Sequence, residues 1–308
     1  MSYKIPAKPS KSAQIEEIAD FWEIQAILSP TRVVSSLEIA KILSLPLDEH
    51  SFDGIESEDD EIEETFEYVF QELNERKIFT ANNYPFIFTT SGIKLESSSN
   101  YMKDTYLYLL LSTRFNMNKH KMQNGIDGTL LFEKICAIVA SNYFDVSLND
   151  SYVFGTATSG GFEEKVKELI KKIGEGVAYK NPNGNLPTAK DDGLDVVVWK
   201  NFADNRPGKL IAFGQCKTGT SWKDSIHKLR PEHFCDSWFY QSPILGPIPL
   251  VFLTDTLYRN FNFDTSQRGY LCFNRFRIME HLQKNVPENL KIEIKQWVQS
   301  AVVELAKL

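Results

Sequence analysis

The chain has 308 residues, of which 42% are hydrophobic, and a formal net charge of −7. Two domains fit this length, and 21 Phe, 12 Tyr and 5 Trp supply apolar volume for packed cores. No apolar run approaches the roughly 18 residues of a membrane span, and the N-terminus lacks the apolar core of a signal peptide. Because the four cysteines are scattered, we expect free thiols in a cytoplasmic protein with no membrane contact.

Acidic charge is concentrated in the N-terminal part. Residues 1–120 hold 11 Lys+Arg and 20 Asp+Glu, whereas residues 121–308 hold 23 and 21. Between Asp48 and Glu67 there are 11 acidic residues and no Lys or Arg. Since phosphates repel carboxylates, a nucleic-acid partner such as DNA would bind the C-terminal part, and a protein partner could bind the acidic N-terminal part. The sequence leaves homo-oligomer formation open.

Residues 1–96 are predicted to form an N-terminal domain of three helices and a hairpin. Apolar spacing predicts helices over 13–28 and 61–76, and a capping-box pattern opens another at 35–43. The hairpin strands are predicted at 78–80 and 85–89.

This order of elements resembles a winged-helix domain over residues 11–95. In a winged helix the third helix enters the major groove of DNA. Here that helix begins with glutamates, which phosphates would repel. We therefore expect a structural or protein-contact role for it.

Residues 97–128 are predicted to be a linker with a bridging helix, and residues 129–308 an α/β domain. Within that domain the patterns predict helices over 129–143, 162–174, 221–229 and 288–305, and strands over 194–199, 209–217, 249–255 and 270–273. The helix over 162–174 is amphipathic, with its lysines predicted mostly on the polar side. The fold class is therefore α/β (α+β).

A polar constellation falls on the two central strands of this domain. If the strands form a hairpin, Asp195 lies beside Gln215, and Gln215 and Lys217 point to the same face. An aspartate buried between apolar neighbours is costly unless it is paired or metal-bound. Carboxylate and amide oxygens with an ammonium are the groups that hold a hard divalent cation and a water beside a phosphodiester.

The elements follow one another as a helix with Glu133, a strand with Asp195, a strand with Gln215-x-Lys217, a helix and a strand. This order resembles the PD-(D/E)xK nuclease superfamily, and is closest to the variants in which glutamine replaces the second acidic residue. The resemblance covers residues 129–256. It implies a restriction-endonuclease-like mixed sheet flanked by helices, and an endonuclease that hydrolyses DNA phosphodiesters with Mg²⁺, for which Mn²⁺ would substitute.

The resemblance also implies roles for individual residues. Asp195 would be the central metal ligand, with Gln215 and the backbone carbonyl of Cys216 as further ligands. Lys217 would orient the attacking water. Glu133 would complete the site from its helix.

Several alternatives remain open on the sequence alone. Glu163 or Glu164, which begin the next helix, could replace Glu133. The basic C-terminal stretch could track a phosphate backbone or be ordinary surface; it consists of Arg259, Arg268, Arg275, Arg277 and Lys284. For a nuclease, the setting would be defence against foreign DNA or genome maintenance. The alternatives are an inactive nuclease-fold protein that binds nucleic acid or protein, and a winged-helix transcriptional regulator with an effector domain.

Overall fold

The computed structural model describes residues 2–10, 12–43, 57–155, 160–181, 192–257 and 269–308, with only the backbone described for 57–63 and 227. The chain is mixed α+β. The described helices are α1 (Ile15–Leu28), α2 (Ser36–Leu43), α3 (Ser57–Phe79), α4 (Tyr101–Arg114), α5 (Met117–His120), α6 (Gly128–Tyr143), α7 (Phe162–Ile173), α8 (Pro231–Trp238), α9 (Arg275–His281) and α10 (Glu288–Leu305). The described strands are β1 (Val33–Ser35), β2 (Phe86–Phe88), β3 (Gly92–Leu95), β4 (Met122–Gln123), β5 (Ile126–Asp127), β6 (Ser151–Val153), β7 (Val196–Lys200), β8 (Leu210–Lys217), β9 (Ile248–Leu253) and β10 (Leu271–Phe273). Among these described helices, none has the combined length and hydropathy needed to cross a bilayer.

The N-terminal part consists of α1, α2 and α3 with an antiparallel sheet in the order β1-β3-β2. The predicted strand at 78–80 is wrong: Ile78 and Phe79 form the exposed last turn of α3. The helix ends there because Ala81 and Asn82 adopt positive φ angles. The hairpin is instead β2 with β3. The acidic run falls partly on residues 44–56, which lie outside the described part of the chain.

A five-stranded sheet in the order β10-β9-β8-β7-β6 forms the C-terminal part. Strand β7 is antiparallel to both of its neighbours, β6 and β8. Strand β9 runs parallel to β8, and β10 runs parallel to β9. Alternate side chains of β7 and β8 face α6 on one side and α7 and α8 on the other. The predicted helix over 221–229 is wrong: two 3₁₀ turns occupy this segment, and α8 starts at Pro231, which is preorganised for the first helical position.

The helix α4, predicted as a bridge, is buried along almost its whole length. The main hydrophobic core includes residues of α1, α4, α6 and α10 and one face of the large sheet. The predicted boundaries at 96 and 128 stay predictions, but apolar packing is continuous across them.

A buried ionic network also crosses both boundaries. Asp20 of α1 accepts hydrogen bonds from Arg76 of α3, Arg114 of α4 and Arg275 of α9, at distances of 2.7 to 3.1 Å. All four side chains are almost fully buried. Arg275 is thus unavailable to a phosphate backbone, so that alternative for the basic stretch is wrong at this residue. Arg259 and Arg268 lie outside the described residues.

Candidate active site

Asp195 lies where β7 begins, and several contacts fix it. Its backbone N–H donates to the carbonyl of Gly214 at 2.9 Å, which continues the antiparallel register of β7 with β8. Its backbone carbonyl accepts from the N–H groups of Phe154 and Gly155, at 2.7 and 3.2 Å. The side-chain Oδ2 accepts from the N–H of Cys216 at 2.7 Å. The carboxylate is therefore held against the end of β8.

Gln215 and Lys217 lie on β8, two residues apart. Gln215 is fully buried. With its amide oriented to satisfy its neighbours, Oε1 accepts from Lys217 Nζ at 3.0 Å, while Nε2 donates to the carbonyls of Ser225 and Ile226 at 3.1 and 3.3 Å. Gln215 therefore connects the Lys217 ammonium to the segment that follows β8.

Glu133 enters from α6 and is 6% exposed. It lies against Gly155, where an added Cβ would overlap its carboxylate. Cys136, one turn along α6, is buried, and Cys216 lies on β8. Burial raises the pKa of both thiols, and the charges of Asp195 and Glu133 raise these pKa values further. The two carboxylates therefore lie near the same pair of thiols.

The other acidic candidates are engaged at the start of α7. Glu163 is exposed and forms an ion pair with Lys167. Glu164 accepts from the backbone N–H of Gly161 at 3.1 Å, which caps the helix. Of the open alternatives, the structure places Glu133 beside the other predicted site residues, and gives Glu163 and Glu164 local roles.

Lys165 is a residue that the sequence reasoning missed. It was predicted with the other lysines on the polar side of its helix, but it is only 4% exposed. Its Nζ donates to the carbonyls of Gly155 and Phe154 at 2.8 and 3.3 Å. The peptide at Gly155 is therefore fixed by Lys165 through its carbonyl and by Asp195 through its N–H. The sequence of α7 does not indicate this role, because Lys165 is one of several lysines on the helix. It differs from Lys167 only in the tertiary contacts that it makes.

Gly155 allows a test of how closely this site is packed. Gly155→Ala is expected to push the Glu133 carboxylate out of its position and to destabilise the chain by about 1–3 kcal/mol, because a buried site is overpacked. Urea unfolding would measure the loss. The control is Gly246→Ala, at an exposed loop position where an added Cβ would meet only the end of the flexible Glu232 side chain, at 3.4 Å. An alanine at 155 that is no more destabilising than one at 246 would contradict this packing.

The donor set fits a hard divalent cation. It comprises the carboxylates of Asp195 and Glu133, the amide oxygen of Gln215 and the carbonyl of Cys216, and Mg²⁺ prefers such oxygen ligands. The Gln215 oxygen already accepts from Lys217, but a carbonyl oxygen has a second lone pair. Within the described residues, no cluster of three or more His, Cys, Asp or Glu side chains is arranged to hold a metal. A cation at this site would therefore also need the amide and backbone oxygens as ligands.

No family model, curated protein or solved structure matches this chain.

Proposed function

We propose that the chain is a metal-dependent nuclease that hydrolyses DNA phosphodiester bonds. The observation that carries the proposal is the placement of the Asp195 carboxylate at the start of β7, next to the end of β8 where Lys217 lies. Glu133 approaches the same place from α6, and Gln215 contacts the Lys217 ammonium. The order of elements around these residues is the one on which the resemblance to PD-(D/E)xK nucleases rests.

Asp195, Glu133, Gln215 and the Cys216 carbonyl would hold the cation, Mg²⁺ or Mn²⁺. When bound, the cation would acidify a water and neutralise charge on the phosphate. Lys217 would hold the attacking water and stabilise negative charge developing on the phosphorus oxygens. Gln215 would keep the Lys217 ammonium in place through its amide oxygen. Defence against foreign DNA or genome maintenance is the proposed setting.

The direct experiment uses the purified full chain. We expect it to cut plasmid or linear DNA in Mg²⁺ or Mn²⁺, to lose this activity in EDTA, and to bind Mn²⁺ in calorimetry. Binding of DNA without cleavage in either metal would favour the second candidate, an inactive nuclease fold that binds nucleic acid. The contact between the Gln215 oxygen and the Lys217 ammonium favours that candidate, because the ammonium would repel a cation bound to the same oxygen.

Gln215→Glu tests what the amide does. A carboxylate would be expected to strengthen a metal site, but here it would also place negative oxygen against the carbonyls of Ser225 and Ile226. Because these buried acceptors would lose their donor, we expect a destabilisation of about 1–3 kcal/mol, measured by urea unfolding. Mn²⁺ affinity of the folded variant is expected to stay level or to rise.

The matched control at this position is Gln215→Met, which keeps the side chain's length but removes both the donor and the oxygen. A Gln215→Glu protein that is as stable as the wild type would show that the amide does not hold the following segment. A folded Gln215→Glu variant with weaker Mn²⁺ binding than the wild type would show that the amide does something other than ligate the metal, whereas weaker binding by Gln215→Met is the expected result.

A further inference from the structure

Residues 222–230, here called the basic segment, lie between β8 and α8. Within the segment, buried apolar residues alternate with exposed basic residues. Trp222, Ile226 and Leu229 are buried. Lys223, Lys228 and Arg230 are exposed. The three apolar side chains thus anchor the segment to the rest of the chain, while the three basic side chains are exposed to solvent.

Three side chains from elsewhere in the chain hold the backbone and anchors of this segment. Gln215 Nε2 donates to the carbonyls of residues 225 and 226. Tyr270 Oη donates to the carbonyl of Leu229 at 3.0 Å, and Trp222 Nε1 donates to Asp255 Oδ2 at 3.1 Å. The segment is therefore fixed in position relative to the sheet.

The segment also borders the candidate site. Gly193, two residues before Asp195, has a φ angle of +79° and lies so close that a Cβ there would be 3.1 Å from the side-chain amide of Gln215 and 3.3 Å from the backbone nitrogen of Leu229. Only glycine combines this conformation with such a close approach. The chain leading to Asp195 thus contacts both Gln215 and the basic segment.

The charge of the segment is opposite to that of the whole chain. Residues 222–230 contain three Lys or Arg and one acidic residue, in a protein of net charge −7. A local positive surface on an acidic protein attracts anionic partners. Its position beside a site that is proposed to cut phosphodiesters identifies the anion as the phosphate backbone of the substrate.

We infer that Lys223, Lys228 and Arg230 form the surface on which double-stranded DNA lies, by contacts to its phosphates and without reading of its sequence. This inference rests on the proposed function and adds the position and chemistry of the substrate contact. Of the basic C-terminal stretch that the sequence suggested, Arg275 takes no part in this surface, because it is buried in the ionic network.

The test compares two charge-reversed forms of the full chain. One is Lys228→Glu/Arg230→Glu; the control is Lys171→Glu/Lys295→Glu, which makes the same charge change at exposed lysines of α7 and α10. Circular dichroism and thermal unfolding would verify folding. Fluorescence anisotropy with a labelled duplex, in EDTA and at several salt concentrations, would measure the dissociation constant.

Each phosphate contact contributes about 0.9 to the slope of log K against log salt. We therefore expect the segment variant to bind at least about tenfold more weakly than the control and to lose about two units of slope. The conservative variant Lys228→Arg/Arg230→Lys should bind like the wild type, because it keeps both charges.

The outcomes separate this inference from the proposed function. If the segment variant and the control bind DNA equally while the wild type cuts DNA, the basic segment is not the DNA-binding surface and the nuclease proposal is unaffected. If the segment variant loses DNA binding while the wild type cuts no DNA in Mg²⁺ or Mn²⁺, the basic segment is the DNA-binding surface and the nuclease proposal is wrong. A wild-type chain that does not bind DNA overturns the surface.

Discussion

Asp195→Asn and Lys217→Met are each expected to lower Mg²⁺-dependent DNA cleavage by at least about 10²–10³-fold, the usual loss when one group that stabilises transition-state charge is removed. The asparagine keeps an oxygen to accept from the Cys216 N–H, so the buried donor stays satisfied. The methionine keeps the length of the lysine side chain but removes its charge. Plasmid nicking and single-turnover cleavage of a labelled duplex would measure both rates.

Folding and metal binding must be measured beside activity in these variants. Mn²⁺ affinity should fall in Asp195→Asn, which removes a negative ligand, and should change little in Lys217→Met. Lys171→Met is the matched control, because it removes an exposed ammonium from α7. Cleavage at the wild-type rate by either folded site variant would show that the reaction takes place elsewhere.

The polar pair on the two central strands could be predicted from the sequence because it depends on local register. Turn residues between two apolar runs predict a hairpin, and pairing of Val196 with Gly214 puts Asp195 opposite Gln215. The spacing of Gln215 and Lys217 then follows from the pleat. The candidate role of Glu133 also had a local signal, since it is a charged residue inside an apolar helix.

Other features have no local signal, because contacts distant in sequence determine them. Burial of Lys165 depends on two carbonyls at Phe154 and Gly155, on a different element. Arg275 looks like a surface cation until Asp20 is placed beside it. The Gln215 amide meets a segment whose 3₁₀ turns have no regular apolar period, so neither its partners nor the shape of the basic segment could be inferred.

The ionic network joins the N-terminal helix α1 to the strand that carries Lys217. Arg275 Nε donates to the carbonyl of Thr254 at 3.0 Å, and the N–H of Thr254 donates to the carbonyl of Lys217 at 3.2 Å. Gly219, two residues beyond Lys217, donates to the carbonyl of Ser112 on α4. Because the ionic network and the hydrogen bond between Gly219 and Ser112 cross the predicted boundaries, DNA binding and cleavage are best tested on the full chain.

Asp20→Asn is therefore expected to be among the most destabilising conservative changes in the protein. It removes the charge that Arg76, Arg114 and Arg275 share in a buried site. Breaking a buried ion pair by removing one partner costs about 3–5 kcal/mol. Here the loss falls mainly on Arg114 and Arg275, since Arg76 also pairs with Glu23 and Glu72 at 2.9 and 2.8 Å. Urea unfolding at pH 7 would measure this loss. Asp145→Asn, at an exposed position, is the control and should lie within about 0.5 kcal/mol of the wild type.

The same carboxylate predicts a pH dependence. Burial opposes ionisation of Asp20, but Arg275, Arg114 and Arg76 outweigh it and hold its pKa below the usual range. Since the folded pKa is the lower one, the stabilisation is complete above the unfolded pKa of about 4 and is lost as the pH falls further. The difference in unfolding free energy between wild type and Asp20→Asn should therefore shrink when urea unfolding is repeated at about pH 3. A difference that stays constant between pH 7 and pH 3 would mean that the Asp20 charge is not what the three arginines stabilise.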